Sequence, residues 1–454
     1  MKLVPGPRLL IWVAVVAVPL SALLGLPPPA PLVAAVLLSA FAFVTLGDAF
    51  RSLGSLDGID VSLPEVVRLT KDRDGEIVLR LKTAPGRDRE LRMALPLPVE
   101  IRARHAEMTI RVPHDQPLSV LAWPCRPLER GSYSIDRCRV EGNSPLGFWL
   151  YREARPLATE VRVYPNLWNE RKTVGALFLN RGTFGIHAQR QVGKGREFEK
   201  LREYIPGDDF DDIHWKATGK RGRPVTKVYQ IERTQEIYLV IDSSRLSERR
   251  LAGIRQADEE GVDVAAETVL ERYVTAALIM ALAAEQQGDL FGLVTYSDKV
   301  DRFVRAKSGK GHFQICRDTL HSMQPRPVTP DFAEVATFLR ARLRRRALLV
   351  FLAELDDPLL AESFARHVEL IARQHLVLAN MLRPLGARPL FSDPGVAGID
   401  DVYRHLGGHY MWQKLRELEN VLRRRGVQFM LLENEKLSAQ LVSQYLNVKR
   451  RQIL

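Results

Sequence analysis

No charged residue occurs between Arg8 and Asp48, and this uncharged stretch constrains the fold more than any other part of the chain. Within it, residues 9–26 form an apolar run that is just long enough to cross a bilayer as a helix. The segment PPPAP breaks this run, and a second apolar run follows over residues 31–50. The stretch therefore predicts a transmembrane helical hairpin over residues 1–52, with spans at 9–26 and 31–50.

A cleaved signal peptide ending near Ala30 is the rival interpretation of this stretch. It would leave the second apolar run as an unexplained exposed segment, so we favour the hairpin. Lys2 and Arg8 flank the first span and Arg51 flanks the second, whereas the turn between them carries no charge. The positive-inside rule then places both ends in the cytoplasm. We expect a multi-pass protein of the cytoplasmic membrane that contacts lipid through residues 9–50, with its soluble domains on the cytoplasmic side.

The composition is that of a chain with hydrophobic cores, since 46% of the residues are hydrophobic and 26% are charged. The formal net charge of +12 suits either nucleic acid or an anionic lipid surface. The basic residues are scattered, and they do not alternate with aromatic residues as they do in base-stacking platforms. We therefore expect no nucleic-acid partner, and a basic nucleic-acid-binding membrane protein remains an alternative.

The chain has three cysteines, Cys125, Cys138 and Cys316, and no CxxC motif. Such a count does not fit a disulfide framework or a zinc site. Buried, reduced thiols are the favoured interpretation, in agreement with cytosolic domains. A bridge between Cys125 and Cys138 stays open if these residues lie on neighbouring strands.

Apolar and polar residues alternate over much of the sequence from about residue 59 to residue 166, for example at Ile77, Leu79 and Leu81. A period of two is typical of half-buried antiparallel strands, and turn residues separate the runs. We expect an immunoglobulin-like β-sandwich over residues 56–170.

From residue 236 onward the pattern changes to apolar runs of strand length that are separated by helical stretches. The runs lie at residues 237–241, 290–296, 347–352, 376–381 and 427–432. This alternation predicts a mostly parallel, Rossmann-type sheet with helices on both faces. We therefore expect an α/β domain over residues 236–454, with any ligand at the carboxyl ends of its strands.

Residues 171–235 connect the two predicted domains and contain the motif REYIPGDD, followed by two further aspartates and a basic segment. The spacing does not match a calcium-binding loop. Adjacent aspartates in a polar loop usually face water, so we favour a structural joint. In that interpretation His214 stays partly exposed, the aspartates face outward, and four side chains pack against the neighbouring domains: Leu201, Tyr204, Ile213 and Trp215, the last as an anchor in a core.

The enzymatic alternative is a metal-dependent hydrolase that uses the acidic segment 208–214, with Asp208, Asp209 and His214 as its reacting groups. No other signature supports it. The glycine-rich pieces GKG and SGKGH lack the GxxxxGK[ST] spacing of a P-loop, and the sequence has no G-x-S-x-G motif. We therefore predict no catalytic residue and no enzymatic activity.

The sequence YLVIDSSRLS places Asp242 at the carboxyl end of the first strand of the α/β domain. Its carboxylate and the serine hydroxyls that follow suit a hard divalent cation. Alternatively, Asp242 caps the following segment by accepting a hydrogen bond from a backbone N–H group. The residues alone leave both interpretations open.

Five segments appear in a recognisable order: RGSY (130–133), NSPLGFW (143–149), VYPN (163–166), GREFEKLREYIPGDDFDDIHWKATGK (195–220) and YLNVKRRQIL (445–454). With them, nearly the whole chain resembles the bacterial family labelled domain of unknown function 58 (DUF58). Members carry two N-terminal membrane helices, a β-domain and a von Willebrand factor A-like (vWA-like) domain. The resemblance implies that residues 236–454 are the vWA-like domain of a bacterial inner-membrane protein.

In vWA domains an Asp-x-Ser-x-Ser loop, a later threonine and a later aspartate hold magnesium, and a carboxylate from a partner completes the coordination. Asp242 and Ser244 match the first two positions, but the third falls on Leu246, which has no side-chain oxygen. Thr329 and Glu354 are the counterparts of the later threonine and aspartate. The resemblance therefore implies a degenerate Mg²⁺ site formed by Asp242, Ser244, Thr329 and Glu354.

Family members resemble partners of MoxR-type AAA+ ATPases. This implies a membrane-anchored, non-enzymatic scaffold or adaptor whose cytosolic vWA-like domain binds protein partners, together with such an ATPase, in assembly or stress-related chaperone-like work. The residues that we expect to bind a partner or to hold the domains together all lie in or beside the acidic motif: Arg202, Glu203, Tyr204, Pro206, Gly207, Asp208, Asp209, His214, Trp215 and Lys216.

Overall fold

The computed structural model describes residues 2–451 apart from residues 26, 28, 54–55, 84–88, 114–117, 169, 173–174, 176–191, 207, 231–234, 252–266, 391 and 393–397. The chain divides into two units, Met1–Asn166 and Leu167–Leu454. The segment that the sequence predicts as a connector belongs to the second unit.

Two apolar helices follow a short strand, β1 (Lys2–Pro5), at the start of the first unit. They are α1 (Pro7–Gly25) and α2 (Ala30–Ser52), and both are long and apolar enough to cross a membrane. A π-helical turn in α1 (Val13–Ala17) comes just before Pro19, whose missing N–H deprives a carbonyl of the preceding turn of its usual donor. The bounds of both helices lie within two residues of the predicted spans at each end.

Nine further described strands build two sheets in this unit. They are β2 (Ile59–Ser62), β3 (Val66–Thr70), β4 (Gly75–Thr83), β5 (Arg89–Ala94), β6 (Ile101–Ala103), β7 (Glu107–Val112), β8 (Leu118–Pro127), β9 (Gly131–Asn143) and β10 (Trp149–Tyr164). One sheet has the order β1-β10-β9-β5-β7, with β3 parallel to β10, and the other has the order β2-β4-β8-β6.

The two sheets contribute to one hydrophobic core. Ile77, Leu79 and Leu81 of β4 are fully buried in it, together with Trp123 and Val161 of β8 and β10. The alternation of apolar residues along β4 is therefore confirmed. An immunoglobulin-like topology is not established by this arrangement.

Cys125 on β8 and Cys138 on β9 lie in different sheets, and both are buried free thiols. Burial raises the pKa of Cys125 to about 11 and that of Cys138 to about 12. Both side chains are therefore neutral and unreactive at physiological pH. The bridge that the sequence left open is not formed.

The second unit contains an antiparallel hairpin of β11 (Val192–Glu203) and β12 (Val225–Gln230), with helix α3 (Trp215–Arg221) between the two strands. The acidic motif lies in this connection. His214 precedes α3, and Gly222 ends the helix in the left-handed conformation with a φ of 65°. Glycine adopts this conformation without the strain that a Cβ atom would introduce.

A six-stranded sheet forms the rest of the second unit. Its strands are β13 (Glu236–Asp242), β14 (Leu290–Tyr296), β15 (Val300–Lys307), β16 (Leu348–Leu352), β17 (Leu376–Leu382) and β18 (Val427–Leu432). The order is β15-β14-β13-β16-β17-β18, and all neighbours run parallel except β14 and β15. Numbered along the chain, this is the doubly wound order 3-2-1-4-5-6. Successive strands are added on one side of β13 as far as β15 and then on the other side from β16 onward, so the switch point lies between β13 and β16.

Six described helices cover this sheet: α4 (Val269–Gln286), α5 (Lys310–His321), α6 (Phe332–Arg342), α7 (Pro358–Ala372), α8 (Ile399–Arg424) and α9 (Leu437–Arg450). Helices α4, α5 and α9 contribute to one hydrophobic core, and α6, α7 and α8 contribute to a second. Successive residues of β13 alternate between the two cores, so both faces of this strand are buried. Its sequence is therefore continuously apolar and does not alternate between apolar and polar residues. The predicted parallel sheet with helices on both faces is confirmed.

Candidate functional site

The reversal of strand order brings two acidic residues to one edge of the sheet. Asp242 ends β13, and Glu354 follows the end of β16. These strands are neighbours, with Ile241 opposite Leu352 in the parallel register. A crevice at the carboxyl ends of two strands, where the order reverses, is the usual ligand site of doubly wound sheets.

The carboxylate of Asp242 is fully buried, and only one of its two oxygens has a hydrogen-bond partner among the described residues. Its Oδ1 accepts a hydrogen bond of 2.8 Å from the backbone N–H of Ser244. Its Oδ2 has no hydrogen-bond partner among the residues that the structure describes. Burial raises the pKa of Asp242 to about 6. A buried polar atom without a partner is unfavourable and marks a place where a ligand atom or a proton can bind.

Glu354 is also buried, and both of its oxygens have partners. Tyr273 of α4 donates a hydrogen bond of 2.6 Å to Oε1, and Nη1 of Arg249 lies 3.4 Å from Oε2. The same guanidinium pairs with Asp356 at 2.7 Å. Burial raises the pKa of Glu354 to about 7, and the charge of Asp242 adds to this rise. The positively charged group that contacts Glu354 is the guanidinium of Arg249, a residue that the sequence did not point to.

The serines after Asp242 order the loop. Ser243 donates a hydrogen bond of 2.8 Å to the carbonyl of Tyr296, and Ser247 donates one of 2.7 Å to the carbonyl of Ser244. The Oγ of Ser244 lies 3.4 Å from the N–H of Leu246 and caps a short 3₁₀ helix, Arg245–Glu248. Asp242 and Ser244 thus both bind backbone N–H groups, as the capping interpretation predicts.

Thr329 reaches the same edge on a neighbouring loop, but its side chain is exposed. The loop is held there by hydrogen bonds of 3.0 Å from the N–H of Arg245 to the carbonyl of Val328 and of 2.7 Å from the N–H of Arg326 to the carbonyl of Ser243. Among the described residues, no group of three or more His, Cys, Asp or Glu side chains could hold a metal ion.

The donor atoms suit Mg²⁺ in part. The free Oδ2 of Asp242 and the hydroxyl of Ser244 are the hard oxygen donors that Mg²⁺ prefers. Glu354 is already held by Tyr273 and Arg249, so a divalent cation would have to compete with the guanidinium. Magnesium binding stays a prediction.

The acidic motif has a different geometry from the one expected. Asp208 points inward: its Oδ1 accepts a hydrogen bond of 2.5 Å from Arg202, and its Oδ2 accepts from the backbone N–H of Ile205 at 3.1 Å and from Thr226 at 3.2 Å. The hydrogen bond from Ile205 and the charge and hydrogen bond of Arg202 lower the pKa of Asp208. The expectation that all the aspartates face outward is wrong for Asp208, because a carboxylate closes the turn of the hairpin. Gly207 lies outside the described residues.

The neighbouring residues have structural partners as well. His214 accepts a hydrogen bond of 3.1 Å at Nδ1 from the N–H of Ala217, which caps α3. Glu203 pairs with Arg223 at 3.3 Å, and both side chains are exposed. The backbone N–H of Tyr204 donates to the carbonyl of Pro224 at 2.9 Å. These contacts join the two strands of the hairpin to the helix between them.

Trp215 is 70% exposed, so the expectation that it anchors the segment in a core is wrong. Ile213, which was also expected to pack, is buried and forms a bridge with Thr226 of β12. Ile205 and Phe210 are 57% and 72% exposed. The sequence analysis did not select these two residues, although large apolar side chains in an acidic turn are an available signal. Pro206, Asp209 and Lys216 are exposed on the same segment.

Two apolar helices and a doubly wound α/β unit with two buried carboxylates at its switch point indicate a membrane-associated protein. Residues 200–384 match the family model described as "Protein of unknown function DUF58". The matched region contains most of the segment 195–220, on which the resemblance to this family was based.

Two uncharacterised mycobacterial proteins are among the relatives. Rv1480 of Mycobacterium tuberculosis (strain ATCC 25618 / H37Rv) and Mb1516 of Mycobacterium bovis (strain ATCC BAA-935 / AF2122/97) are each 28% identical to this chain over 197 residues, which is 43% of this chain. The chain spans 57% of the length of these relatives.

Solved structures with similar regions include the SpRpn10 VWA domain, with 11% identity and a TM-score of 0.28 over 46% of this chain and 95% of that chain. An aerotolerance-related membrane protein from Bacteroides fragilis NCTC 9343 has 13% identity and a TM-score of 0.29 over 47% and 98%. BatB from Bacteroides thetaiotaomicron has 12% identity and a TM-score of 0.28 over 48% and 99%. The assignment of a doubly wound fold to this chain rests on its own strand order.

Proposed function

We propose that this protein is a membrane-anchored, non-enzymatic scaffold whose α/β unit, which we take to be vWA-like, binds protein partners. We propose further that it works with a MoxR-type AAA+ ATPase in assembly or stress-related chaperone-like processes. The observation that carries the proposal is the exposure of Ile205, Phe210 and Trp215 on the acidic motif. We call these three side chains the apolar motif surface.

The apolar motif surface is presented by a braced turn. Asp208 ties the turn to both strands of the hairpin through Arg202 and Thr226. A braced surface loses less conformational entropy on binding than a free loop does. Tryptophan and other aromatic side chains supply much of the binding energy at protein interfaces, and their exposure to water is unfavourable in the free protein.

The charge around this surface indicates the chemistry of the partner. Asp209 and Asp211 are exposed beside Phe210, so a partner segment with basic and apolar side chains would be complementary to it. The edge of the sheet at Asp242 offers a second binding site, which would favour an acidic rather than a basic partner group. There Arg249, with 40% of its side chain exposed, suits a carboxylate from a partner, with or without a metal ion.

The hydrolase alternative is less well supported than the scaffold. It requires Asp208 and His214 to act on a substrate, but Asp208 accepts three hydrogen bonds and Nδ1 of His214 accepts one from the backbone. Alanine substitution of Asp208, Asp209 and His214 separates the two proposals. If the purified, folded variants lose a hydrolytic activity of the wild type but still bind the partner, the hydrolase is favoured.

We also propose that the soluble units lie on the cytoplasmic side of the bacterial inner membrane and that the β-unit is immunoglobulin-like. The first proposal follows from Lys2, Arg8 and Arg51 at the ends of the hairpin. The second follows from the two sheets around one core.

The test of the scaffold is a pull-down from solubilised membranes with the full chain as bait. We expect the wild type to recover a MoxR-type AAA+ ATPase and the double variant Phe210→Ala/Trp215→Ala to lose most of it. The matched control is Tyr403→Ala/Leu406→Ala, which removes two exposed side chains of α8 in the same unit. Repeated absence of any AAA+ ATPase from the wild-type sample, or equal recovery by both double variants, would contradict the proposal.

A further inference from the structure

The turn between β9 and β10 has an unusual composition for a soluble loop. Its sequence, NSPLGFWLY, carries no charge from residue 143 to residue 151, between Glu141 and Arg152. Pro145 is exposed and Leu146 is 49% exposed. We call residues 144–149 the apolar turn.

The apolar turn is fixed to the end of α2. The Oδ2 of Asp48 accepts a hydrogen bond of 2.5 Å from Ser144, and its Oδ1 accepts one of 3.0 Å from the N–H of Leu146. Asp48 is the first charged residue after the apolar part of α2, and it is buried by this contact. The helix and the turn therefore meet at the boundary of the predicted span.

Two further contacts extend deeper along the same helix. The indole N–H of Trp149 donates a hydrogen bond of 2.8 Å to the carbonyl of Thr45, and the ring of Phe148 packs edge-on against Phe41 with 6.4 Å between centroids. Phe41 lies about 10 Å further along the helix axis than Asp48, at 1.5 Å per residue. The turn accordingly reaches alongside residues that belong to the apolar span.

The start of α1 holds the other side of the turn. The N–H of Gly6 donates a hydrogen bond of 2.7 Å to the carbonyl of Phe148, and β1 pairs with β10 so that Pro5 lies opposite Trp149. A Cβ atom on Gly147, whose φ is 76°, would lie 3.0 Å from the side chain of Arg8. The turn is thus enclosed by the first residues of one helix and the last turns of the other.

The backbone of the apolar turn is well satisfied within the protein. The N–H of Ser144 bonds to the carbonyl of Trp149 at 2.8 Å, and that of Gly147 to the carbonyl of Ser144 at 2.9 Å. The N–H of Trp149 donates to the Oγ of Ser144 at 3.0 Å. Non-helical backbone is tolerated at membrane depth only where its polar groups have such partners.

From these contacts we infer that the apolar turn enters the interfacial zone of the bilayer, with Pro145 and Leu146 in contact with lipid. A helix needs about 20 residues to cross the hydrocarbon core. The uncharged part of α2 before Asp48 is about that long, so Phe41 and Thr45 cannot lie outside the bilayer if α2 spans it. Groups that touch these two residues lie at a similar depth.

The same end of the β-unit carries further side chains that suit a lipid surface. Leu118 and Val120 of β8 are exposed there, and Leu118 pairs with Lys82 of β4, which is also exposed. This end is the one at which β2 follows α2, because Ile59 of β2 pairs with Thr83 next to Lys82. Exposed apolar residues beside a lysine are typical of a surface that rests on anionic lipid.

The inference rests on the membrane anchor of the proposed function and adds a site of lipid contact outside the helices. The β-unit would then be seated on the bilayer at a fixed angle by Asp48 and β1.

The test is depth-dependent fluorescence quenching of the full chain in vesicles of phosphatidylcholine and phosphatidylglycerol. Leu146→Cys is labelled with an environment-sensitive dye, and two phospholipid quenchers are compared, one with a spin label near its head group and one with a spin label midway along its acyl chain. Wild-type protein gives the labelling background, since its three cysteines are buried. Leu37→Cys, 48% exposed on α2, is the membrane control, and Val99→Cys, 92% exposed beyond the far end of β5, is the aqueous control.

We expect the dye at position 146 to be quenched at least several-fold more than the dye at position 99 and to resist a water-soluble quencher such as iodide. Quenching at position 37 with none at position 146 would overturn the lipid contact and leave the anchor intact. Absence of quenching at both positions would overturn the anchor as well. Pro145→Cys, at the exposed neighbour, repeats the measurement if the first variant does not fold.

Discussion

The guanidinium of Arg202 donates a hydrogen bond of 2.5 Å to the carboxylate of Asp208, six residues further along the chain. The same carboxylate binds the N–H of Ile205 between them and the hydroxyl of Thr226 across the hairpin. One side chain thus fixes the turn, its two strands and the direction in which the turn presents Phe210. The most conspicuous charge in the motif is consequently a structural element.

Substitution of Asp208 by alanine should loosen the hairpin without unfolding the α/β sheet. Loss of the carboxylate removes acceptors from Arg202, Ile205 and Thr226 at once. Local opening should become easier, so we expect amide hydrogen exchange across residues 202–226 to accelerate by about tenfold or more. The measurement is hydrogen exchange of the full chain followed by mass spectrometry.

The control for this prediction is Asp211→Ala, because Asp211 is exposed in the same motif. Its exchange pattern should match that of the wild type. Equal protection in Asp208→Ala and wild-type protein would show that the turn does not depend on the carboxylate.

The C-terminal motif is fixed to the sheet by a buried carboxylate. Asp289, just before β14, accepts hydrogen bonds from Tyr445 and from Lys449 of α9, the latter at 2.8 Å, and from the N–H of Gln235 at 3.1 Å. Substitution of Asp289 by alanine leaves a buried phenol without its acceptor and removes the charged partner of the Lys449 ammonium, which keeps only the carbonyl of Gln287 at 2.8 Å. We expect the variant to lose roughly 2–4 kcal/mol of unfolding free energy.

Thermal unfolding of the full chain in detergent, followed by tryptophan fluorescence, measures this loss. Glu435→Ala is the matched control, since Glu435 is exposed near the start of α9 and should change stability by less than about 0.5 kcal/mol. An unchanged midpoint in Asp289→Ala would mean that α9 is held by its apolar contacts alone.

Regular patterns explain why much of the fold could be predicted. The alternation at Ile77, Leu79 and Leu81 and the continuous apolar run of β13 each reflect how many faces of a strand are buried. The charge-free stretch before Asp48 likewise indicates two helices, because only apolar residues suit a lipid environment. These signals are local, so each can be interpreted without knowing what lies opposite in space.

The site was predicted less completely because its contacts join distant residues. Arg249 pairs with a glutamate more than a hundred positions away, and no local pattern distinguishes it from other arginines. The inward direction of Asp208 depends on Thr226 across the hairpin. Ile213 is buried as expected and bridges to β12, whereas Trp215 is exposed. A tryptophan is usually buried in a soluble protein, and this position departs from that tendency.

The contribution of Asp242 and Glu354 to the stability of the protein should fall as the pH rises through the weakly acidic range. Burial raises the pKa of Asp242 to about 6 and that of Glu354 to about 7, whereas carboxyl groups in unfolded chains titrate near about 4. The folded state therefore binds more protons than the unfolded state in this interval. The stabilisation is fully present below about pH 4 and is lost between about pH 4 and pH 7.

Asp242→Asn tests this dependence because asparagine has nearly the same shape and no charge. We expect its unfolding midpoint to exceed that of the wild type at pH 8 and to fall less steeply between pH 4 and pH 7. Asp211→Asn, at the exposed position, should follow the wild-type profile. Identical profiles for Asp242→Asn and wild-type protein would contradict the raised pKa.

The position of Arg249 predicts how the edge at Asp242 responds to magnesium. A divalent cation that binds Asp242 and Ser244 must compete with the guanidinium for Glu354, which lies 3.4 Å from Arg249. The substitution Arg249→Ala removes the guanidinium. Glu354 then becomes free to bind the metal ion, and a positive charge that repels the metal ion is lost. Calorimetric titration of the full chain should therefore show Mg²⁺ binding about tenfold or more tighter in Arg249→Ala than in the wild type.

Two further variants are the controls. Asp242→Ala should abolish Mg²⁺ binding, and Arg245→Ala, which removes an exposed arginine from the same loop, should leave the Mg²⁺ affinity unchanged. Equal affinity of Arg249→Ala and the wild type would show that the guanidinium does not exclude the metal, because the competition on which the prediction depends would then be absent.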